Sequence, residues 1–121
     1  MNSEWPVGGQ SHVAETPMID PKNAARQSGL LTALCNESRL RILSALVDDE
    51  VTAGNLASVV GLSQSATSQH LAKLRHLKLV TVRREAQTLW YTTDNVAVIK
   101  SLALLEELCR EGRLLPLPKA A

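Results

Sequence analysis

Phenylalanine is absent from this 121-residue chain, and its only aromatic residues are Trp5, Trp90 and Tyr91. A core without large rings has to be filled by Leu, Val, Ile and Ala, which suits packed helices. Long apolar runs are also missing. None approaches the roughly 18 residues that cross a bilayer, so no membrane partner is expected. The opening stretch "MNSEWPVGGQ" lacks the cationic start and apolar segment of a secretory leader, and a cytoplasmic location is the expectation. Two cysteines, Cys35 and Cys109, are too few for a disulfide framework. In a reducing compartment they are thiols, or at most a switchable pair. No phosphate loop and no paired-carboxylate motif occur, and Ser63 or Ser68 with His70 has no orienting carboxylate, so catalysis is not expected. The length fits one domain.

Charge is present but unevenly placed. Residues 1–61 hold four Lys/Arg against seven Asp/Glu, while residues 62–91 hold five (Lys73, Arg75, Lys78, Arg83, Arg84) against Glu85 alone. The last thirty residues balance, and the formal net charge is +1. Positive charge gathered in one segment of a near-neutral chain suggests a local polyanion contact, although solvated faces are also basic.

Punctuation divides the chain into elements. Residues 1–19, with Pro6, Gly8, Gly9 and Pro17, read as a mobile tail, residues 20–111 as the folded domain and residues 112–121 as a second tail. Asp20 is a good N-cap and Pro21 fits the first helical position, so a helix is expected over Pro21–Leu34. A second follows over about Ser38–Val47 and is broken by "DDE". Thr52 caps a third over Ala53–Val60, ended by Gly61. Leu62 is read as a buried link and Ser63 as the cap of a fourth helix. Two helices joined by a short glycine turn are a helix-turn-helix. "LVTVRRE" and "TLWYTT" then alternate as two strands around Ala86 and Gln87, a basic ribbon of the kind called a wing. Asp94 or Asn95 caps a last helix reaching about Arg110. The expected class is mainly α with a small β-wing, a winged helix-turn-helix in the order α-α-α-α-β-β-α.

The fourth helix carries the functional signal. At about 100° per residue, Ala66, Thr67, His70, Leu71, Leu74 and Leu77 share one face, which is expected to pack inward. The other face carries Gln64, Ser65, Ser68, Gln69, Ala72 and Lys73. Short hydroxyls and amides reach base edges with little entropy to lose, and glutamine pairs well with adenine. A helix N-terminus favours phosphate, and Lys73, Arg83 and Arg84 add neutralising charge. Ordinary solvated faces use Glu and Lys, whereas this one has no acid over fifteen residues. The candidate DNA contacts are therefore Gln64, Ser65, Ser68, Gln69, His70, Lys73, Arg83 and Arg84, with His70 equally readable as a structural histidine at the inner edge.

Residues 36–91, "NESRLRILSALVDDEVTAGNLASVVGLSQSATSQHLAKLRHLKLVTVRREAQTLWY", resemble the ArsR/SmtB family of bacterial winged-helix repressors, within its branch without metal sites. The phrases "LSQSA-SQHLAKLR" and "RREAQT-WY" carry the resemblance, which extends over about residues 24–110. It implies a homodimer joined through the first and last helices, binding double-stranded DNA at an imperfect inverted repeat as a transcriptional repressor. Two apolar helices at the ends of so small a domain agree with dimerisation. The alternatives are a winged-helix regulator without an inducer, and one used only for protein–protein contacts.

The resemblance also bears on what is sensed. Metal-responsive members place a Cys-x-Cys pair where this chain has Thr52 and Gly54, or acidic and histidine ligands where it has Asn95 and Ala97. His12, His70 and His76 have no ligand spacing, so neither metal nor other cofactor is expected. Sulfide-responsive members use two cysteines, one in the second helix and one ending the last. Cys109 falls near the latter, but the former position is Ser44, and Cys35 lies nine residues earlier. The pair is a redox candidate; the other reading is two buried thiols acting as small apolar residues.

Overall fold

The structure is a computed structural model that describes residues 19–115. Residues 1–18 and 116–121, which hold most of the two expected tails, lie outside the described residues. Among the described residues seven elements follow one another: α1 (Pro21–Leu34), α2 (Glu37–Asp48), α3 (Ala53–Val60), α4 (Gln64–His76), β1 (Thr81–Glu85), β2 (Thr88–Thr92) and α5 (Val96–Arg110). That is the order expected from the sequence.

Each helix starts where a short polar side chain can take an orphan N–H. Asp20 accepts from Lys22 at 2.8 Å, Asn36 from Arg39 at 3.0 Å and Thr52 from Asn55 at 3.2 Å. Ser63 accepts from Ala66 at 3.0 Å and Asn95 from Val98 at 3.1 Å, so Asn95 rather than Asp94 opens the last helix. Replacing such a cap by alanine costs about 1 kcal/mol. Gly61 ends α3 in the left-handed region, at φ 76°, where a side chain would be strained.

The described residues divide into two compact units, with the division between residues 32 and 33. The first is Ile19 and Asp20 leading into all of α1 but Ala33 and Leu34. The second holds an aliphatic core of Ile42, Leu43 and Leu46 from α2, Leu56, Ala57 and Val60 from α3, Leu71 and Leu74 from α4, and Leu79, Val80 and Val98. No ring is needed to close it.

β1 and β2 form an antiparallel hairpin in which Val82 faces Tyr91, Arg83 faces Trp90 and Arg84 faces Leu89. The two-residue connection puts Ala86 at φ 56°. A further bridge extends this pair: the N–H groups of Val51 and Tyr91 each donate to the other's carbonyl at 2.9 Å. The wing is thereby attached to the connection between α2 and α3.

Candidate nucleic-acid interface

The expected helix-turn-helix is α3, the turn Gly61–Ser63, and α4. Leu62 donates its N–H to the Ala57 carbonyl at 3.0 Å and is half-buried, not the fully buried link expected. Ser63 both caps α4 and takes the Thr67 hydroxyl on its carbonyl at 2.9 Å, which satisfies the one fully buried polar side chain of this helix. Leu71 and Leu74 continue that face into the core.

Leu77 does not. It is 40% exposed, because α4 stops at His76 and the chain reverses. Lys78 takes φ 63°, with its N–H on the Arg75 carbonyl at 2.9 Å and the Leu79 N–H on the Leu74 carbonyl at 2.9 Å. These two bonds form a Schellman cap, with lysine where glycine is usual. The reversal buries Leu79 and Val80 in place of Leu77.

The outer face of α4 stands as the sequence implied. Gln64, Ser65, Ser68, Gln69, Ala72 and Lys73 are all exposed. No ion pair among the described residues involves Lys73, Arg75, Lys78 or Arg84. The face thus presents amide and hydroxyl groups able to donate and accept, flanked by uncommitted positive charge.

Two candidates have partners within the chain. His70 is half-buried, and its Nδ1 accepts from Arg39 Nε at 3.4 Å. Burial, then the neighbouring Arg39 charge, hold the imidazole below the usual histidine pKa, so it is neutral and ties α4 to α2. Arg83 donates to both carboxylate oxygens of Glu50, at 2.9 and 3.0 Å, and to Glu85 at 3.2 Å. The hydrogen bond from Arg83 lowers the Glu50 pKa, and the Glu50 and Glu85 hydrogen bonds raise that of Arg83. Sequence reasoning missed Glu50, reading "DDE" only as a helix breaker. No local signal marks it, because its place directly before Val51, the residue that bridges the wing, acquires meaning only in the fold.

Cys35 and Cys109 are free and exposed in the single chain, so neither is a buried apolar thiol of its core. Cys35 lies in the two-residue connection between α1 and α2, and Cys109 in the last turn of α5. Among the described residues no three His, Cys, Asp or Glu side chains come together as metal ligands would, and no helix is long and apolar enough to cross a membrane.

Residues 36–82 match the family model described as bacterial regulatory protein, arsR family. The chain is 48% identical over 87 residues to the nodulation protein NolR of Rhizobium meliloti, covering 72% of this chain and 71% of that protein. It is 49% identical over 87 residues to the transcriptional activator HlyU of Vibrio cholerae, covering 72% and 81%. Among solved structures, the homodimeric winged helix-turn-helix DNA-binding domain of Mb0332 from Mycobacterium bovis matches with a TM-score of 0.65 at 27% identity, over 78% of this chain and 90% of that one. A helix-turn-helix with an acid-free outer face, followed by a bridged wing and matched by these relatives, places the chain in a family: it belongs to the ArsR family of bacterial regulatory proteins.

Proposed function

We infer that this chain is a DNA-binding transcriptional regulator that acts as a homodimer on an inverted-repeat operator, most simply as a repressor. The observation that carries this reading is the exposed, acid-free face of α4. Gln64, Ser65, Ser68 and Gln69 read base edges or fix register in the major groove, while Lys73 and Arg84 contact phosphate. His70 and Arg83 are left out of the DNA-facing group because His70 Nδ1 already accepts from Arg39 and the Arg83 guanidinium is already held by Glu50 and Glu85.

Dimerisation is supported by apolar side chains left in solvent on the terminal helices. Leu31 of α1 is 64% exposed, and Val96 and Leu104 of α5 are 62% and 54% exposed. The Mb0332 domain is homodimeric, and a half-site bound by one copy would have few phosphate contacts.

The test is binding to the protein's own promoter region as a function of salt. About four to six phosphate contacts from two subunits give a log–log slope of about −4 to −5. A slope near −1, or no shift at low salt, would leave a winged helix used only for protein contacts. A thiol-responsive version of this reading is favoured by one observation, the exposure of both cysteines. Oxidised protein should yield a linked 35–109 peptide by mass spectrometry. If both thiols remain free under oxidant, the regulator senses something else.

A further inference from the structure

The wing carries two adjacent arginines in opposite situations. Side chains alternate across a strand, so Arg83 stands on the side of Trp90 while Arg84, facing Leu89 in the register, stands on the other. Arg83 presents Nε and Nη2 to the two oxygens of Glu50 and Nη1 to Glu85, and its Cζ is 5.9 Å from the centre of the Trp90 ring. Two carboxylates around one guanidinium leave that cluster with net negative charge. It opposes a phosphate rather than neutralising one. Arg84 is exposed and takes part in no ion pair among the described residues.

The location of the acid matters as much as its charge. Glu50 directly precedes Val51, whose backbone bridges to Tyr91, and Tyr91 in turn pairs with Val82, the residue before Arg83. A backbone bridge and a side-chain clamp therefore join neighbouring residues of the same two segments. Tyr91, Thr92 and Thr93 hold β2 to Val51 and to the Leu46 carbonyl; Arg83 adds an attachment on β1, one residue nearer the tip than Val82, and so helps to fix the angle. From Val82, opposite the bridged Tyr91, to the turn at Ala86 the strand extends about 14 Å. At the end of such a lever a swing of about 10° displaces the tip by about 2 Å, enough to lengthen a hydrogen bond beyond its range.

We propose that Glu50 and Arg83 form a positioning pair that sets the direction of the wing, and that of the two arginines only Arg84 contacts phosphate. The proposal rests on the DNA-binding reading above. The competing picture has Arg83 leave Glu50 for a phosphate when DNA arrives, and it makes the opposite prediction for an acid-to-amide change. Loss of the Glu50 charge would then release a cation and remove a repulsion, tightening the complex. Under the positioning role the same change loosens the wing and weakens the complex.

Glu50→Gln, Arg83→Gln and Arg84→Gln distinguish the two. The probe is a 30-base-pair duplex drawn by selection from a random pool with the wild-type protein. Glu50→Gln and Arg83→Gln should each weaken binding about threefold to tenfold with the salt slope unchanged. Arg84→Gln should weaken binding and flatten the slope by about 0.9 for each phosphate it no longer neutralises. A DNA-free readout accompanies this: in a Trp5→Phe background, acrylamide quenching reports on Trp90 alone, and its quenching constant should rise in both Glu50→Gln and Arg83→Gln. Tighter binding by Glu50→Gln, with Arg83→Gln flattening the slope as Arg84→Gln does, overturns the proposal. Unchanged quenching in both variants overturns it too. A wild-type chain that binds no duplex, with Trp90 uncovered in both variants, removes the DNA reading and leaves the clamp standing.

Discussion

The hydroxyl of Thr93 donates to the backbone carbonyl of Leu79 at 2.6 Å, and both residues are buried. The chain enters the wing just after Leu79 and leaves it at Thr93, so this bond closes the base of the hairpin. The same hydroxyl accepts from the Asn95 N–H at 3.3 Å, and the Thr93 N–H reaches the Leu46 carbonyl at 3.2 Å. Thr93→Val keeps the volume and removes the donor, which leaves a buried carbonyl without a partner at a cost of about 1–3 kcal/mol. For a domain of this size the melting temperature falls by roughly 4–8 °C per kcal/mol. Thr93→Ser should retain most of the stability. Equal melting of Thr93→Val and wild type would show that the Leu79 carbonyl does not depend on this hydroxyl.

Gln69→Ala separates reading from anchoring. It should weaken the selected duplex by about 1–3 kcal/mol while leaving random-sequence DNA almost unaffected. Lys73→Gln should weaken both duplexes alike and flatten the salt slope. Parallel losses for the two variants on both duplexes would show that Gln69 reads no base.

Acid should loosen the attachment of α4 to α2. The His70 pKa is held below its free value of 6.5 by burial and by Arg39. Between that free value and the lowered folded value, the unfolded chain binds more protons than the folded one, so stability rises with pH. The contribution is complete above about pH 6.5 and is lost as pH falls through the folded pKa. Denaturant midpoints measured from pH 7.5 to 5 should decline, and His70→Gln should flatten the decline. An unaltered profile in that variant would assign the loss to other groups.

Among the described residues, two that are not glycine occupy the left-handed region, Lys78 at φ 63° and Ala86 at φ 56°. A residue with a Cβ is strained there by about 1–2 kcal/mol. Ala86→Gly should therefore raise stability, by up to about 1 kcal/mol once the greater freedom of the unfolded glycine chain is included. Lys78→Gly should do the same at the Schellman position. Lower melting temperatures for both would mean that contacts of the Ala86 and Lys78 side chains outweigh the backbone strain.

Local signals made the helical framework legible. Asp20 with Pro21 opened α1, and Thr52 with Gly61 bounded α3, because capping and positive-φ preferences act within a few residues. The wing was visible as a change of hydrophobic period from helix to strand after Leu77. The α4 outer face was equally legible, since helical periodicity assigns faces without tertiary knowledge. What escaped was non-local or atypical. Lys78 takes a role that sequence rules give to glycine, so the helix end and the exposure of Leu77 were hidden. Arg83 meets Glu50 from 33 residues away, and no local rule links an acid in a helix-breaking run to a strand arginine. His70 finds Arg39 31 residues away in the same manner. The cysteines lie at a helix connection and a last turn, where burial depends on what the neighbouring elements cover.

The bridge between Val51 and Tyr91 also has a temporal consequence. Helix ladders and the α3–α4 turn close over a few residues, whereas Thr92 reaches the Leu46 carbonyl across 46 residues and Arg83 reaches Glu50 across 33. Loop-closure entropy must be met before such distant contacts stabilise anything, so α2, α3 and α4 are expected to assemble first and the hairpin to dock onto them afterwards. In the reverse direction the hairpin departs first. Its undocking is a partial opening with its own equilibrium, distinct from global unfolding. The backbone protons of Val51 and Tyr91 should exchange with solvent through that opening, on a shorter clock than those of Leu43 and Leu74.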